Sequence, residues 1–152
     1  MLLYMGNERH VAVSKNTLTI LPEADYCLFA IASSVRDYRL CWHLNKALRI
    51  NMAREDDIDM LYKQKGRQAQ FSCFIFDDFD NQLVYALLQN RSAGRHLLPE
   101  LKQFDFLLKI EGLLLYNEEA NTQQQLKSIP VIQMALKQPA DTLKNPQNLT
   151  LA

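Results

Sequence analysis

Hydrophobic side chains recur at the period of an α-helix between Ser34 and Ile50, and no other segment has so definite a pattern. At about 100° per residue the apolar positions fall on two flanks. The first flank consists of Leu40, Cys41, Leu44, Ala47 and Leu48. The second flank, roughly opposite, consists of Val35, Tyr38, Trp42 and Asn45.

A helix that is apolar on two flanks needs cover on both. The pattern therefore predicts that a sheet packs on the first flank and that a second layer lies over Trp42. That second layer is either the N-terminal segment or another copy of the chain. In the latter case Val35, Tyr38 and Trp42 are the predicted interface residues.

Ser34 is the predicted N-cap of this helix, and Asp37 follows three residues later, as in a capping box. Side chains at these positions accept hydrogen bonds from first-turn N–H groups that lack a helical partner. Asp37 also falls on the apolar flank beside Leu40 and Leu44. We expect it either to cap the helix or to hold an arginine.

A third strip of the helix is basic throughout and consists of Arg36, Arg39, His43 and Lys46. Two interpretations are open. Charge of one sign is ordinary on the solvated face of a surface helix. A basic strip beside Trp42 also suits the binding of phosphates or of an acidic partner, with the indole stacked on a base or ring.

Several apolar or alternating runs predict strands. Tyr26–Ala32 is nearly all apolar, which is typical of a central strand covered on both faces. Two runs flank the turn-forming residues Asp77–Asn81 and predict an antiparallel hairpin. The remaining strand predictions are His10–Leu21, as one strand or as two broken at Lys15 and Asn16, then Ile58–Lys63 after an acidic stretch, the hairpin runs Ala69–Phe76 and Leu83–Gln89, and Phe104–Glu111.

A last helix is expected after Gly112, capped by Asn117 or Asn121, and Pro130 breaks or restarts it before Val131–Leu136. The order predicts a single α+β domain over residues 1–152, with a C-terminal arm from about residue 139. Its antiparallel, curved sheet of about four to six strands packs on the long helix in β-α-β4-α order.

The loop Arg91–Pro99 is a second candidate site. Gly94 gives the backbone freedom, and Arg91, Arg95 and His96 surround it, so the loop has the composition of an anion cradle. The alternative is a connection with solvated arginines, because most polar loops only connect elements.

Composition narrows the function classes. The 152 residues carry 17 acidic and 17 basic side chains, a balance that argues against a general nucleic-acid binder. Cys27, Cys41 and Cys73 lie in apolar runs, which predicts buried thiols in a reducing compartment. No metal site or cofactor is predicted. The opening residues lack a signal peptide, and no apolar run reaches the roughly 18–20 residues of a membrane span, so we expect a cytoplasmic protein.

Three groups of residues resemble the bacterial family known as IPExxVDY proteins. They are Arg36–Leu40 with Trp42 and Asn45, Leu98–Asp105, and Ile129–Pro130 followed by Asn145, Asn148 and Leu149. The resemblance runs from about Asp25 to the C-terminus. It implies a cytosolic protein of this size and supplies no catalytic residues.

Two functions follow from these patterns. The preferred one is a non-catalytic interaction domain that forms a homodimer or binds another protein, because an exposed apolar flank normally marks an interface. The alternative is binding of RNA or of a phosphorylated ligand through the basic strip and the Arg91–His96 loop. An enzyme is disfavoured, since the chain has no P-loop, GxGxxG, nucleophile elbow or HExxH.

Overall fold

The computed structural model describes residues 9–14, 17–22, 25–62 and 67–151. Over those ranges the fold is α+β, with two α-helices and an antiparallel sheet of six strands, which confirms the predicted class. The elements in chain order are β1 (Arg9–Ser14), β2 (Thr17–Pro22), β3 (Tyr26–Ala32), α1 (Asp37–Leu48), β4 (Ala53–Tyr62), β5 (Arg67–Asp78), β6 (Leu83–Gln89), β7 (Arg91–Ser92), β8 (Arg95–His96), β9 (Phe106–Glu111), α2 (Tyr116–Lys127) and β10 (Met134–Gln138). Short 3-10 turns lie at Pro99–Leu101, Ala140–Thr142 and Pro146–Leu151. Neither α-helix of the described ranges has the length and apolarity needed to cross a membrane.

The main sheet has the strand order β10-β3-β9-β6-β5-β4, and every neighbouring pair is antiparallel. β1 and β2 form a separate ladder, so the predicted His10–Leu21 region contains two strands. The predicted β-α-β4-α order is incomplete, because a further strand, β10, follows α2. Met134–Gln138 pairs along β3 and forms one edge of the sheet, whereas the sequence predicted that the helix could restart over Val131–Leu136.

The predicted hairpin of β5 and β6 is confirmed, and its turn is held by Asp78. The Asp78 carboxylate accepts hydrogen bonds from the backbone N–H of Asn81 (3.3 Å) and from its side-chain amide (2.8 Å). At the other edge of the sheet, β4 is longer than the predicted Ile58–Lys63 strand, and Lys63 lies outside the described residues. The acidic stretch is therefore part of β4 itself, with a register shift between Glu55 and Ile58.

Both faces of the sheet are apolar and covered. In β3, Cys27, Phe29 and Ile31 point to the layer that contains the helices, whereas Leu28 and Ala30 point to the opposite layer. This alternation confirms that β3 is a central strand buried on both sides. Within the described ranges the opposite layer contains no α-helix and is built from the segment that follows β8 and from the C-terminal arm. Its buried residues outside the strands are Leu97, Leu98, Leu101, Phe104 and Leu149.

α1 begins later than predicted, at Asp37, with Arg36 at the N-cap position and no side-chain cap. The predicted Ser34 cap is wrong because the Arg36 carbonyl accepts the first helical bonds, from the N–H groups of Arg39 (3.1 Å) and Leu40 (2.9 Å). Asp37 does accept the N–H of Tyr38 (2.7 Å). α2 likewise begins at Tyr116 with Leu115 as N-cap, so the predicted Asn117 and Asn121 caps lie inside the helix.

Only one of the two predicted apolar flanks of α1 is buried. Leu40, Cys41 and Leu44 are in the core. Tyr38 and Trp42 remain 63% and 57% exposed. The described residues therefore form no second layer over Trp42, and the first eight residues of the predicted N-terminal cover lie outside the described ranges.

Asn90 holds the helix-free layer in place. It is fully buried, and its side-chain amide donates to the carbonyls of Leu101 (3.0 Å) and Phe104 (2.9 Å). Its side-chain oxygen accepts the N–H of Leu98 (2.8 Å). Its backbone N–H donates to the carbonyl of Asp105, and its backbone carbonyl accepts the N–H of Leu97 (both 2.8 Å). One side chain thereby closes the segment between β6 and β9 over the sheet.

The C-terminal arm is fixed over the same face by polar contacts. Buried Lys109 donates to the carbonyl of Leu149 (2.8 Å) and pairs with Glu111 (2.7 Å). The Glu100 carboxylate accepts hydrogen bonds from the N–H of Lys144 (2.6 Å) and from the N–H and side-chain amide of Asn145 (2.7 and 2.9 Å). The predicted polar tail is therefore attached at least at these three points over residues 144–149.

We expect Asn90→Ala to lower the free energy of unfolding by about 2–4 kcal/mol, because the N–H of Leu98 and the carbonyl of Phe104 lose their partner. The carbonyl of Leu101 keeps one partner, the N–H of Phe104. Urea unfolding followed by circular dichroism measures this loss. Asn117→Ala, at an exposed position of α2, is the matched control. A loss below about 1 kcal/mol for Asn90→Ala would show that the segment does not depend on this side chain.

The attachment of the arm should weaken in acid. Burial alone would raise the pKa of Glu100, but the hydrogen bonds from Asn145 and Lys144 outweigh it and lower the pKa below its ordinary value of 4.5. A carboxyl group whose pKa is lowered on folding stabilises the fold above its ordinary pKa. That contribution is lost as the pH falls through the lowered value.

An NMR titration of the Glu100 carboxyl carbon should give a midpoint below 4.5, and the amide signals of Lys144 and Asn145 should move with it. Asn145→Ala should raise that midpoint. A midpoint at or above 4.5 that does not respond to Asn145→Ala would contradict the attachment.

Candidate functional site

The side of α1 that faces away from the core is aromatic and basic. Its exposed residues, which we call the α1 outer face, are Arg36, Tyr38, Arg39, Trp42, Lys46 and Arg49. Residues three and four apart are neighbours on a helix surface, so these side chains form one continuous patch. Three of the four predicted strip residues belong to it, and the fourth, His43, is half-buried.

Neighbouring side chains hold the indole of Trp42 from two sides. The Lys46 ammonium lies 5.1 Å from the centre of the indole ring, within cation–π range. The His43 ring meets the indole edge-on, with ring centres 4.9 Å apart and planes at 87°. Trp42 is thereby restrained while remaining exposed, which reduces the entropy lost when a partner covers it.

The α1 outer face is positively charged, and among the described residues no carboxylate pairs with its arginines or its lysine. Asp37, the one acidic residue of α1, lies on the inner side and approaches Arg54 of β4 (3.7 Å). Of the two roles expected for Asp37, the structure has the arginine contact and no side-chain cap at the helix start. Arg49 was missed, although it lies three residues after Lys46 and continues the spacing of the strip. It is in the left-handed region (φ 58°) at the C-terminal end of the helix.

The second candidate site, the Arg91–Pro99 loop, begins as a tight hairpin. β7 and β8 pair Arg91 with His96 and Ser92 with Arg95. Ala93 and Gly94 form the two-residue turn, and both have positive φ (50° and 75°), as a type I′ turn requires. Gly94 therefore serves the turn.

Arg91 is engaged by the protein itself. Its guanidinium lies 3.4 Å from Asp105 and donates to the carbonyl of Lys102 (3.2 Å). Burial, together with the positive charges of Arg91 and Lys102, lowers the pKa of His96 from its ordinary value, which favours the neutral imidazole. Arg95 is half-buried. These contacts favour the connecting-loop interpretation over an anion cradle.

Arg91, Ser34 and Val35 meet at an open cleft of about 390 Å³ beside the start of α1. Its other walls come from strand ends and include Gln89, Asp105 and Gln133. Asp105 accepts the N–H of buried Ser33 (2.9 Å), and the Ser33 hydroxyl donates to the carbonyl of Val131 (2.6 Å). Through these hydrogen bonds Ser33 and Asp105 join the end of β3 to the segments that lead into its neighbouring strands, β9 and β10.

The three cysteines are buried, as predicted. Burial raises the pKa of each thiol, to about 12 for Cys27, where Glu119 adds to the effect, and to about 11 for Cys41 and Cys73. Protonated thiols are poor nucleophiles and metal ligands. In the described part of the chain, no three His, Cys, Asp or Glu side chains are grouped to hold a metal ion.

No protein-family model matches the chain, and no curated protein or solved structure matches it. The resemblance to the IPExxVDY proteins therefore stays a prediction. Two surfaces, the α1 outer face and the cleft beside the start of α1, are the candidate sites of the described chain. Of these, the α1 outer face has its charged and aromatic groups exposed, whereas the cleft uses much of its polarity internally.

We expect Asp105→Ala to cost more stability than Arg91→Met. Removing the carboxylate leaves the buried N–H of Ser33 without its acceptor, at a cost of about 1–3 kcal/mol. The Arg91–Asp105 pair is partly exposed, so its loss should cost less than about 1 kcal/mol. Asp105→Asn, whose amide oxygen can still accept the N–H, should be intermediate. Urea unfolding of the three variants decides this, and an equal or reversed order would contradict a structural role for Asp105.

Proposed function

We propose that this chain is a non-catalytic interaction domain that binds an acidic surface of a macromolecular partner through the α1 outer face. The observation that carries the proposal is the exposure of Tyr38 and Trp42, at 63% and 57%, within a patch that is otherwise basic. Trp, Tyr and Arg are the residue types that contribute most binding energy at protein interfaces.

The magnitudes indicate how large the interface must be. A Tyr or Trp side chain buries roughly 150–250 Å², so covering the exposed parts of both rings is worth on the order of 6 kcal/mol. Association itself costs about 4–15 kcal/mol in lost freedom of motion. The two rings alone therefore do not hold a complex together, and the partner must also contact their surroundings.

Those surroundings select the partner by charge. Arg36, Arg39, Lys46 and Arg49 are exposed, and a matching acidic surface speeds encounter and excludes basic partners. The chain as a whole has a net charge of +0, so the selection is local. The cytoplasmic location predicted from the sequence is part of this proposal, and the predicted homodimer is one form that the complex can take.

RNA or a phosphorylated ligand, the alternative predicted from the sequence, also fits a basic patch with an exposed indole. The structural contacts of the Arg91–His96 loop support it less. Arg91 is shared with Asp105, and the lowered pKa of His96 favours its neutral ring, so two of the three candidate residues of the loop contribute little positive charge. Binding of a protein partner is therefore the function that the geometry supports best.

Site-specific photocrosslinking tests the proposal. We expect p-benzoylphenylalanine at position 38 to give a discrete protein adduct when cells that produce the chain are irradiated. Adding Trp42→Ala should reduce its yield by about tenfold or more, because the central contact is lost. The matched control is the same photoreactive residue in place of Phe79, which is 80% exposed in the β5–β6 turn. No adduct at position 38, or equal yields at positions 38 and 79, would overturn the proposal.

A further inference from the structure

We infer that the partner of the α1 outer face is a second copy of this chain, which contributes its acidic edge strand β4. The inference rests on the proposed function and names the surface that the basic patch recognises. Each copy would place its α1 outer face against β4 of the other. The contact would thus be made twice around a two-fold axis.

β4 has the charge that the α1 outer face lacks. Between Arg54 and Asp59 it carries Glu55, Asp56, Asp57 and Asp59. Asp57 is half-buried and bonded to Arg54, whereas Glu55, Asp56 and Asp59 are exposed. The balanced composition of the chain therefore hides two adjacent surfaces of opposite sign.

The fold presents β4 as a side-chain surface and blocks its use as a pairing edge. It is the last strand of the sheet, with β5 as its only neighbour in the described chain. Consecutive carboxylates and the register shift between Glu55 and Ile58 oppose the addition of another strand, since both devices protect sheet edges. Pairing β4 with β4 of a second copy would also bring like charges together.

The two surfaces adjoin on one side of the molecule, as an exchange around a two-fold axis requires. The side-chain amide of Asn45 bonds both backbone groups of Met52 (2.8 and 3.1 Å), which fixes the start of β4 against α1. Trp42 lies three residues before Asn45 and is therefore its neighbour on the helix surface. The contact between Asp37 and Arg54 joins the first turn of α1 to the same strand.

The carboxylates of β4 are divided between the two faces of the sheet. Glu55 pairs with Cys73, which belongs to the opposite layer, whereas Asp59 lies on the side that α1 covers. Asp59 accepts a hydrogen bond from Gln70 (3.0 Å). Gln70 lies on the same face of β5 as Ser72 and Phe74, because side chains two residues apart in a strand point the same way. Phe74 belongs to the core cluster under α1. A symmetric contact of α1 with α1 is disfavoured by comparison, because it would set the arginines and lysine of one outer face against those of the other.

Charge reversal with rescue tests the inference in the purified full-length chain. We expect sedimentation velocity to show a monomer–dimer equilibrium that shifts towards monomer as salt is raised. Arg39→Glu with Lys46→Glu should weaken dimerisation by about tenfold or more, and so should Asp56→Lys with Asp59→Lys. All four positions are exposed, and circular dichroism of each variant checks that the fold is retained.

Mixing the two reversed variants is the decisive arm. In the mixed dimer the acidic α1 of one chain meets the basic β4 of the other, while the second contact has the natural charges. We therefore expect the mixture to dimerise about as well as the unmodified chain, although neither variant does so alone.

A monomer at every protein concentration and salt would overturn the inference, as would a dimer that neither reversal weakens or that mixing fails to restore. The photocrosslinking adduct separates this from failure of the proposed function. An adduct with a different protein at position 38 would leave the interaction domain standing and overturn only the second copy as its partner.

Discussion

The constraint on which the structure depends is that its central sheet is apolar on both faces and must be covered twice. The helices cover one face, and Leu40 and Leu44 are the contribution of α1 to that layer. In the part of the chain that the structure describes, the other face has no α-helix, so it relies on Asn90 to hold the segment after β8 over the sheet. Lys109 and Glu100 then attach the C-terminal arm beside it. Backbone groups in these irregular segments find partners because buried or half-buried side chains supply them.

Meeting this constraint within one chain explains why the α1 outer face is available. One flank of α1 completes the layer of helices, so the other flank is not required to cover the sheet. Tyr38 and Trp42 are then left in solvent, at a position where a lysine and a histidine restrain the indole. Exposed aromatic rings set among fixed positive charges have the composition of interface residues that bind tightly. The Arg91–Pro99 loop is different, because Arg91 pairs with Asp105 in the wall of the cleft.

The parts of this account that the sequence could predict are those with a local physical signal. The alternation in β3, the turn formers between β5 and β6, and the two flanks of α1 are visible as patterns, and the structure places each in the corresponding element. The start of α1 was predicted wrongly because Ser34 has the side chain of an N-cap, whereas the first helical hydrogen bonds are accepted by the carbonyl of Arg36. β10 was missed because Met134–Gln138 is short, and its strand conformation depends on pairing with β3. The role of Asn90 has no sequence signal, since its partners Leu98, Leu101 and Phe104 come close to it only in the fold.

Trp42 is exposed in the isolated chain, and we propose that a partner covers it. Trp42 is the only tryptophan, so the fluorescence of the protein reports on this one position. In dilute solution the account predicts a red-shifted emission maximum and strong quenching by iodide, which the surrounding positive charges attract, with much weaker quenching by caesium. On association the emission should move to the blue and iodide should lose its access. A blue-shifted emission in the dilute monomer, protected from iodide, would place Trp42 inside its own chain and contradict the account.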